Sequence, residues 1–314
     1  MKKNLLIMFA IMAGCFTSQA QVLLSSENFP DAKFRKVLSE RLNVPEGSVI
    51  TEESIAHTCF LDLSGCAIED LRGIGFFNEL VVLDCSKNQL ETLDLSSNTK
   101  LQNMDCSNNL LTDLKLTGCR ELKGLSCCFN QLTTLDLSDC EALAGLVCSF
   151  NQLTSIDLGA CHQLVGLWCE NNSLTSLDLS ACLALKNLAC QENALETLDV
   201  RGCPALRILY CQDNQLKRID VSACTDLIEF WCYNNPIEDL NTDGCESLED
   251  FRDNEWGFTD ETGTATGVAS NRISTSTMID GYYTLEGVCV GADVAKKGLY
   301  IVRTKDGKGK KVLF

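Results

Sequence analysis

Histidine is almost missing from this chain of 314 residues, which carries only His57 and His162. Sites built on imidazole, whether catalytic or metal-binding, therefore have little to draw on. No GxSxG, no HExxH and no phosphate-cradling glycine loop occurs, so nucleophilic, metal-assisted and nucleotide chemistry lack their usual groups. Basic residues are scarce too: 26 Lys and Arg stand against 43 Asp and Glu, a net charge of −17. A field of that sign repels phosphate backbones and anionic lipid, which argues against nucleic acid or membrane surfaces as partners. The 20 cysteines include no CxxC pair, so clustered thiolate ligation has no local motif. Beyond residue 20 no stretch approaches the about 20 uninterrupted apolar residues of a transmembrane helix. These absences point away from an enzyme, with no cofactor or metal expected, and towards binding.

What is present begins with Met1-Lys2-Lys3, an apolar run from Leu5 to Met12, and Ser18-Gln19-Ala20 before Gln21. A positive start, an apolar middle and a small-x-small end predict a secretory signal over residues 1–20. Met12-Ala13-Gly14-Cys15 gives a second reading, a lipobox that would leave Cys15 acylated, although Met stands where Leu is usual. Either way the mature protein is expected outside the cytoplasm, extracellular or at the outer-membrane surface.

Leu80, Leu101, Leu122, Leu143, Leu164, Leu185, Leu206, Leu227 and Leu248 recur every 21 residues with no insertion or deletion. A period that strict means a solenoid of stacked coils. One unit reads LVVLDCSKNQLETLDLSSNTK and a later one LAGLVCSFNQLTSIDLGACHQ; the shared pattern is LxxLxCxxNxLxxLDLSxCxx. Apolar residues at unit positions 1, 4, 6, 11, 14 and 16 cannot be buried by one coil alone, so neighbours must share a continuous interior. Position 9 is Asn88, Asn109, Asn130, Asn151, Asn172, Asn193, Asn214 and Asn235. An amide where each coil turns can donate to and accept from backbone groups that the turn leaves unpaired, which predicts a structural asparagine ladder.

The pattern resembles the leucine-rich-repeat family, and within it the short cysteine-bearing repeats of the internalin J type found on bacterial surface proteins. The resemblance spans about 190 residues. It implies a right-handed, mainly β superhelix of β/turn units over residues 58–251, with an N-terminal helical cap over 21–57. Members of that group are adhesins or ligand-binding proteins.

Most of the cysteines fall in two columns. Position 6 supplies Cys85, Cys106, Cys127, Cys148, Cys169, Cys190, Cys211 and Cys232; position 19 supplies Cys119, Cys140, Cys161, Cys182, Cys203, Cys224 and Cys245, with Asn98 in the first full unit. An exported chain this rich in cysteine invites disulfides or a metal site. Position 6 is an inward strand residue, however, where free Cys packs as a small hydrophobe. Free thiols in the core are therefore the favoured expectation, with a within-column disulfide still in reach at the about 4.8 Å spacing of adjacent coils. Cys128, at position 7, should point outward.

At the N-terminal end Phe34, Val37, Leu38 and Leu42 share one helical face. This stretch resembles caps in related repeat proteins that hold a calcium loop between two helices. On that alignment Asn43 takes the first ligand place, but Pro45, Gly47 and Ser54 take the third, fifth and twelfth, so a metal-free cap is expected. Leu61, Leu63, Ile68 and Leu71 form a first coil one residue longer than the rest, with Cys66 in the ladder place. Residues 252–277 read as a linker, and Asp253, Glu255, Asp260 and Glu261 within it as a solvated loop. Residues 278–314 predict a small antiparallel β domain, with turns at Glu286-Gly287, Lys297-Gly298 and Asp306-Gly307. Through Tyr283-Thr-Leu-Glu-Gly, Gly298-Leu-Tyr-Ile-Val-Arg and Lys310-Lys311-Val-Leu-Phe it is similar to the C-terminal sorting domains of Bacteroidetes type IX secretion substrates. That likeness implies export across the outer membrane and removal of the tail there; a structural C-terminal cap is the rival reading.

With positions 4 and 6 inward, positions 3, 5 and 7 face the concave side. Position 5 reads Asp84, Asp105, Ser126, Val147, Trp168, Ala189, Tyr210 and Trp231; Tyr233 lies at position 7, and Phe129 and Phe150 lie at position 8. These aromatics are expected to stand in water as one strip, flanked by Glu170, Gln191, Glu192, Gln212, Asp213, Asn234 and Arg252. Exposed rings in such a strip mark an interface. The candidate ligand site is therefore Phe129, Phe150, Trp168, Tyr210, Trp231 and Tyr233, with Glu170, Asp213 and Arg252 as orienting groups. A host or neighbouring-cell surface protein is the leading partner, carbohydrate the second, and a self-associating envelope protein the third; the tail or a second copy could also cover the strip.

Overall fold

The computed structural model describes residues 22–253 with their side chains and the backbone of four strands between Tyr282 and Leu313. The signal sequence, Cys15, nearly all of 252–277 and the turns of the tail lie outside the described residues.

The cap opens on a short strand, Val22–Leu23, which pairs antiparallel with Val49–Ile50, and between them lies a helix, α1, over Ala32–Leu42. Asp31 caps it by accepting from the Lys33 and Phe34 N–H groups at 2.7 and 2.9 Å. The second oxygen of the same carboxylate accepts from Glu69 and Asp70 N–H at 2.8 and 3.3 Å, so one side chain ties the helix to the first coil. Burial raises the Asp31 pKa, but the four backbone donors outweigh it and hold the carboxyl below its ordinary value. Phe34 and Leu38 face the core as expected, while Val37 and Leu42 are only partly covered. Asn43 closes α1 in the left-handed region, φ 53°, its N–H bonded to Ser39 O. A short second helix, α2, follows at Glu52–His57. Gly73, at φ 100°, passes so near the cap that a Cβ would lie 2.4 Å from Asn28 O and from the Phe29 ring, so no larger residue fits.

The solenoid carries ten parallel three-residue strands, from Phe60–Asp62 to Asp250–Arg252, in one sheet in which each coil pairs with the next. Register is constant: position 4 pairs with position 4, as in Leu146 with Leu167 and Leu167 with Leu188. Inside, Leu83, Met104, Leu125, Leu146, Leu167, Leu188, Leu209 and Phe230 form one file and the position 6 cysteines another, all buried. On the opposite flank only Thr92–Asp94 with Asp113–Lys115, and Arg218–Asp220 with Asp239–Asn241, pair as short strands. Tyr282–Thr284, Cys289–Val290, Leu299–Arg303 and Gly309–Leu313 pair as a four-stranded antiparallel sheet.

The asparagine ladder is complete and points one way. Asn172 donates to Cys169 O in its own coil at 3.0 Å and to Cys148 O in the preceding coil at 3.1 Å, and accepts from Leu153 N–H of that preceding coil at 3.0 Å. The other seven repeat the arrangement, from Asn88, which serves Leu63 O and Ile68 N–H, to Asn235, which serves Cys211 O and Leu216 N–H. Every amide reaches backward, which is why the first coil tolerates Cys66: it has no preceding coil to serve. In its place the cap supplies Asp31 and the Lys33 ammonium, which donates to Ala67 O at 2.7 Å.

No disulfide joins any of the eighteen described cysteines. Burial is the main cause that lifts the thiol pKa throughout position 6, and it pushes position 19 up to about 11 at Cys119 and about 12 at Cys182. Position 19 has a second task that the sequence pattern did not reveal. Cys224 Sγ donates to Val200 O at 3.5 Å and Cys203 O at 3.6 Å, and Cys245 Sγ to Val221 O at 3.3 Å and Cys224 O at 3.6 Å. In the first full unit Asn98 does the same work, donating to Ile74 O and Phe77 O at 3.1 and 2.9 Å. Cys119, Cys203, Cys224 and Cys245 thus act as weak donors for turn carbonyls as well as members of a core file.

Replacing Asn172 by Ala strands backbone groups of two coils, so stability should fall by about 3 kcal/mol in urea unfolding, given about 1–3 kcal/mol for each buried group left unpaired. Brief alkylation of the native protein should label Cys59, Cys66, Cys128 and Cys245, the described thiols with surface exposure, and spare the fourteen buried ones until the chain is unfolded; early labelling of Cys148 or Cys169 would contradict the interior placement.

Candidate interaction surface

Three zones divide the concave sheet. In the first, Asp62, Asp84 and Asp105 at position 5 turn back on their own coils, each accepting from the N–H and hydroxyl of the serine two residues on, at 2.6–3.0 Å. Burial raises the Asp105 pKa in spite of those bonds. These carboxylates complete strand ends, so the zone has no free row of groups for a ligand.

In the middle zone position 3 is Gly124, Gly145 and Gly166 on successive strands, which leaves the sheet without side chains on that row. At its rim Phe129 and Phe150 stack on each other, 4.3 Å apart and 9° from parallel. Both occupy the left-handed region, φ 54° and 55°, that their counterparts Asn108, Asn171 and Asn234 occupy more easily.

In the last zone Tyr210, Trp231 and Arg252, position 5 of three successive coils, form one stack. The Tyr210 and Trp231 rings lie 4.5 Å apart at 38°, and the Arg252 guanidinium sits 3.9 Å over the Trp231 ring. A carboxylate from position 3 of the following coil pins each ring: Tyr210 Oη donates to Glu229, and Trp231 Nε1 donates to Asp250 at 3.2 Å. Asp250 also holds Arg252 through Nε and a terminal nitrogen, both at 3.0 Å. Beside the stack Tyr233 is half-buried; burial, then Asp213, raises its phenol pKa. Asp213, at φ 56°, accepts from the Asn234 amide at 2.8 Å.

Two expectations fail here. Trp168 is only 7% exposed and Glu170 only 2%, so neither stands in water. The reason lies in the row spacing. Coils about 4.8 Å apart put ring faces against neighbouring rows and leave only edges to solvent, and Trp168 is in register between Val147 and Ala189. Nor is the strip continuous: buried Ala189 separates Trp168 from Tyr210, and the phenylalanine pair forms its own patch. The structure brings Tyr210, Trp231 and Arg252 together, with Tyr233 and Asp213 in the adjacent rows. The pinning acids Glu229 and Asp250 were missed; their signal was an acid at position 3 one coil after each ring.

Among the described residues no group of three His, Cys, Asp or Glu side chains is placed to hold a metal ion, and no helix is long and apolar enough to cross a membrane.

Residues 204–243 match the model of the leucine-rich repeats in two copies. The solenoid has the leucine-rich-repeat fold. Similar structures include an internalin C2 from Listeria monocytogenes, with a TM-score of 0.57 and 20% identity over 74% of this chain and 96% of that one. Another is YopM, a leucine-rich effector protein from Yersinia pestis, with a TM-score of 0.55 and 22% identity over 69% of this chain and 63% of that one. At these identities the likeness concerns the fold. In sequence, 71 residues are 35% identical to internalin J of Listeria monocytogenes, which is 23% of this chain and 8% of that protein's length.

Proposed function

We propose that this leucine-rich-repeat chain is an exported surface protein that captures another protein on its concave sheet, and that it performs no catalysis. The observation that carries the reading is the stack of Tyr210, Trp231 and Arg252, two large rings and a guanidinium side by side on a parallel sheet and held by Glu229 and Asp250. Tyr, Trp and Arg are the side chains most enriched at interface hot spots. Groups already held in place lose little further freedom when a partner settles on them. Phe129, Phe150, Tyr233 and Asp213 widen this surface, whereas Trp168 and Glu170 serve as its floor rather than as contact groups. Export rests on the signal-like residues 1–20 and on the sorting-like motifs of residues 278–314, whose type IX character and Bacteroidetes setting belong to the same proposal.

Replacing Tyr210 and Trp231 together by Ala should weaken capture of a surface protein from host or neighbouring cells on the order of a thousandfold, since each hot-spot side chain contributes about 2 kcal/mol or more. Melting should fall far less than capture, because the core files and the asparagine ladder are untouched, and unaltered capture would remove the reading. Binding to a glycan array with no protein captured would favour the carbohydrate alternative, and assembly seen by light scattering the envelope alternative. The mass of the protein recovered outside the cell tests export: loss of residues 1–20 is expected, with further loss of the tail where sorting removes it, and a lipid on Cys15 would overturn the signal assignment.

A further inference from the structure

The last zone of the concave sheet has acids in excess of bases. Among the described residues from the coil of Trp168 onward, the charged residues at positions 3, 5, 7 and 8 are Glu170, Glu192, Asp213, Glu229 and Asp250 on one side and Arg252 alone on the other. Acids alone would only describe a solvated face. Gln212 adds a separate observation. It is 6% exposed, and its Oε1 is buried with no hydrogen-bond partner. One strand earlier in the same row, Gln191 Oε1 is buried and unpartnered in the same way. Two orphaned acceptors one coil apart, about 4.8 Å, destabilise the fold and are not explained by it.

Arg252 shows what chemistry this face accommodates. Its guanidinium lies 3.9 Å over Trp231 while Asp250 takes two of its N–H bonds at 3.0 Å. A guanidinium is all donor, carries five N–H groups in one plane and stacks on rings, so it suits paired amide oxygens beside carboxylates and phenols. An ammonium shares the charge but not the plane.

We propose that the row of Gln191 and Gln212, flanked by Glu192, Asp213 and Tyr233, is the receiving site for an arginine side chain of the partner protein. The proposal rests on the concave-face reading above and deepens it by naming the chemistry of the partner: an arginine-bearing segment laid along the later coils, its guanidinium bonded to the two amide oxygens and balanced by the two acids. The excess of acid over base in the whole chain draws such a segment in.

The test titrates the full chain with hexa-arginine, hexa-lysine and hexa-citrulline at about 0.15 M salt. Hexa-arginine should bind at least about tenfold more tightly than hexa-lysine, and the uncharged peptide should not bind measurably. Gln212→Leu should weaken hexa-arginine about tenfold while leaving melting unchanged or higher, because an orphaned polar atom is removed; a side chain with a merely structural role would lower both together. Equal affinity for the arginine and lysine peptides, or unchanged binding by Gln212→Leu, overturns the proposal. If hexa-arginine fails to bind while the Tyr210 and Trp231 replacements still abolish partner capture, the arginine site falls and the concave-face reading stands; if capture is also unaffected, both fall.

Discussion

Each coil of this solenoid up to that of Leu206 depends on an amide that belongs to the coil after it. The position 9 asparagine satisfies two backbone groups of its predecessor and one or two of its own turn, and no other side chain in the repeat could replace both the donor and the acceptor at that spot. Apolar burial holds the stack together without direction; the amide fixes register and orientation. From that constraint follow the constant pairing of the strands, the two cysteine files and the straight rows of the concave face.

Straight rows give the surface its character. A residue at position 5 is in register with the position 5 residues of the coils before and after it, so side chains of one kind gather into bands. Early coils devote that row to aspartates that close their own strands, middle coils leave the sheet open with glycine, and late coils build rings, a guanidinium and their pinning acids. The same scaffold thus carries three surfaces of different chemistry, and only the last combines hot-spot side chains with orphaned acceptors.

Much of this was legible because repetition makes environment a function of position. Asn88 to Asn235 and Cys85 to Cys232 could be placed from the period alone, and the spacing of Phe34 and Leu38 gave the cap helix. Whatever depends on a relation between coils was harder to read. Trp168 faces the concave side as its position demands, yet the row spacing takes it out of water. Glu229 and Asp250 act on rings one coil earlier, a diagonal that a unit-by-unit reading does not contain. Asp84 and Asp105 sit in the ligand-facing row but bond to their own serines. Position 19 reads as a cysteine file, and only the placement of Asn98 beside the Ile74 and Phe77 carbonyls explains why a thiol or an amide serves there equally.

The backward reach of the ladder also gives the fold a direction in time. A coil emerging first has its turn left open until its successor arrives to close it, and the leading coil, although tied to the cap by Asp31 and Lys33, still waits for Asn88 to serve Leu63 and Ile68. Such a chain matures from its cap towards its tail, one turn behind its own growth. Its least completed element is always the most recent.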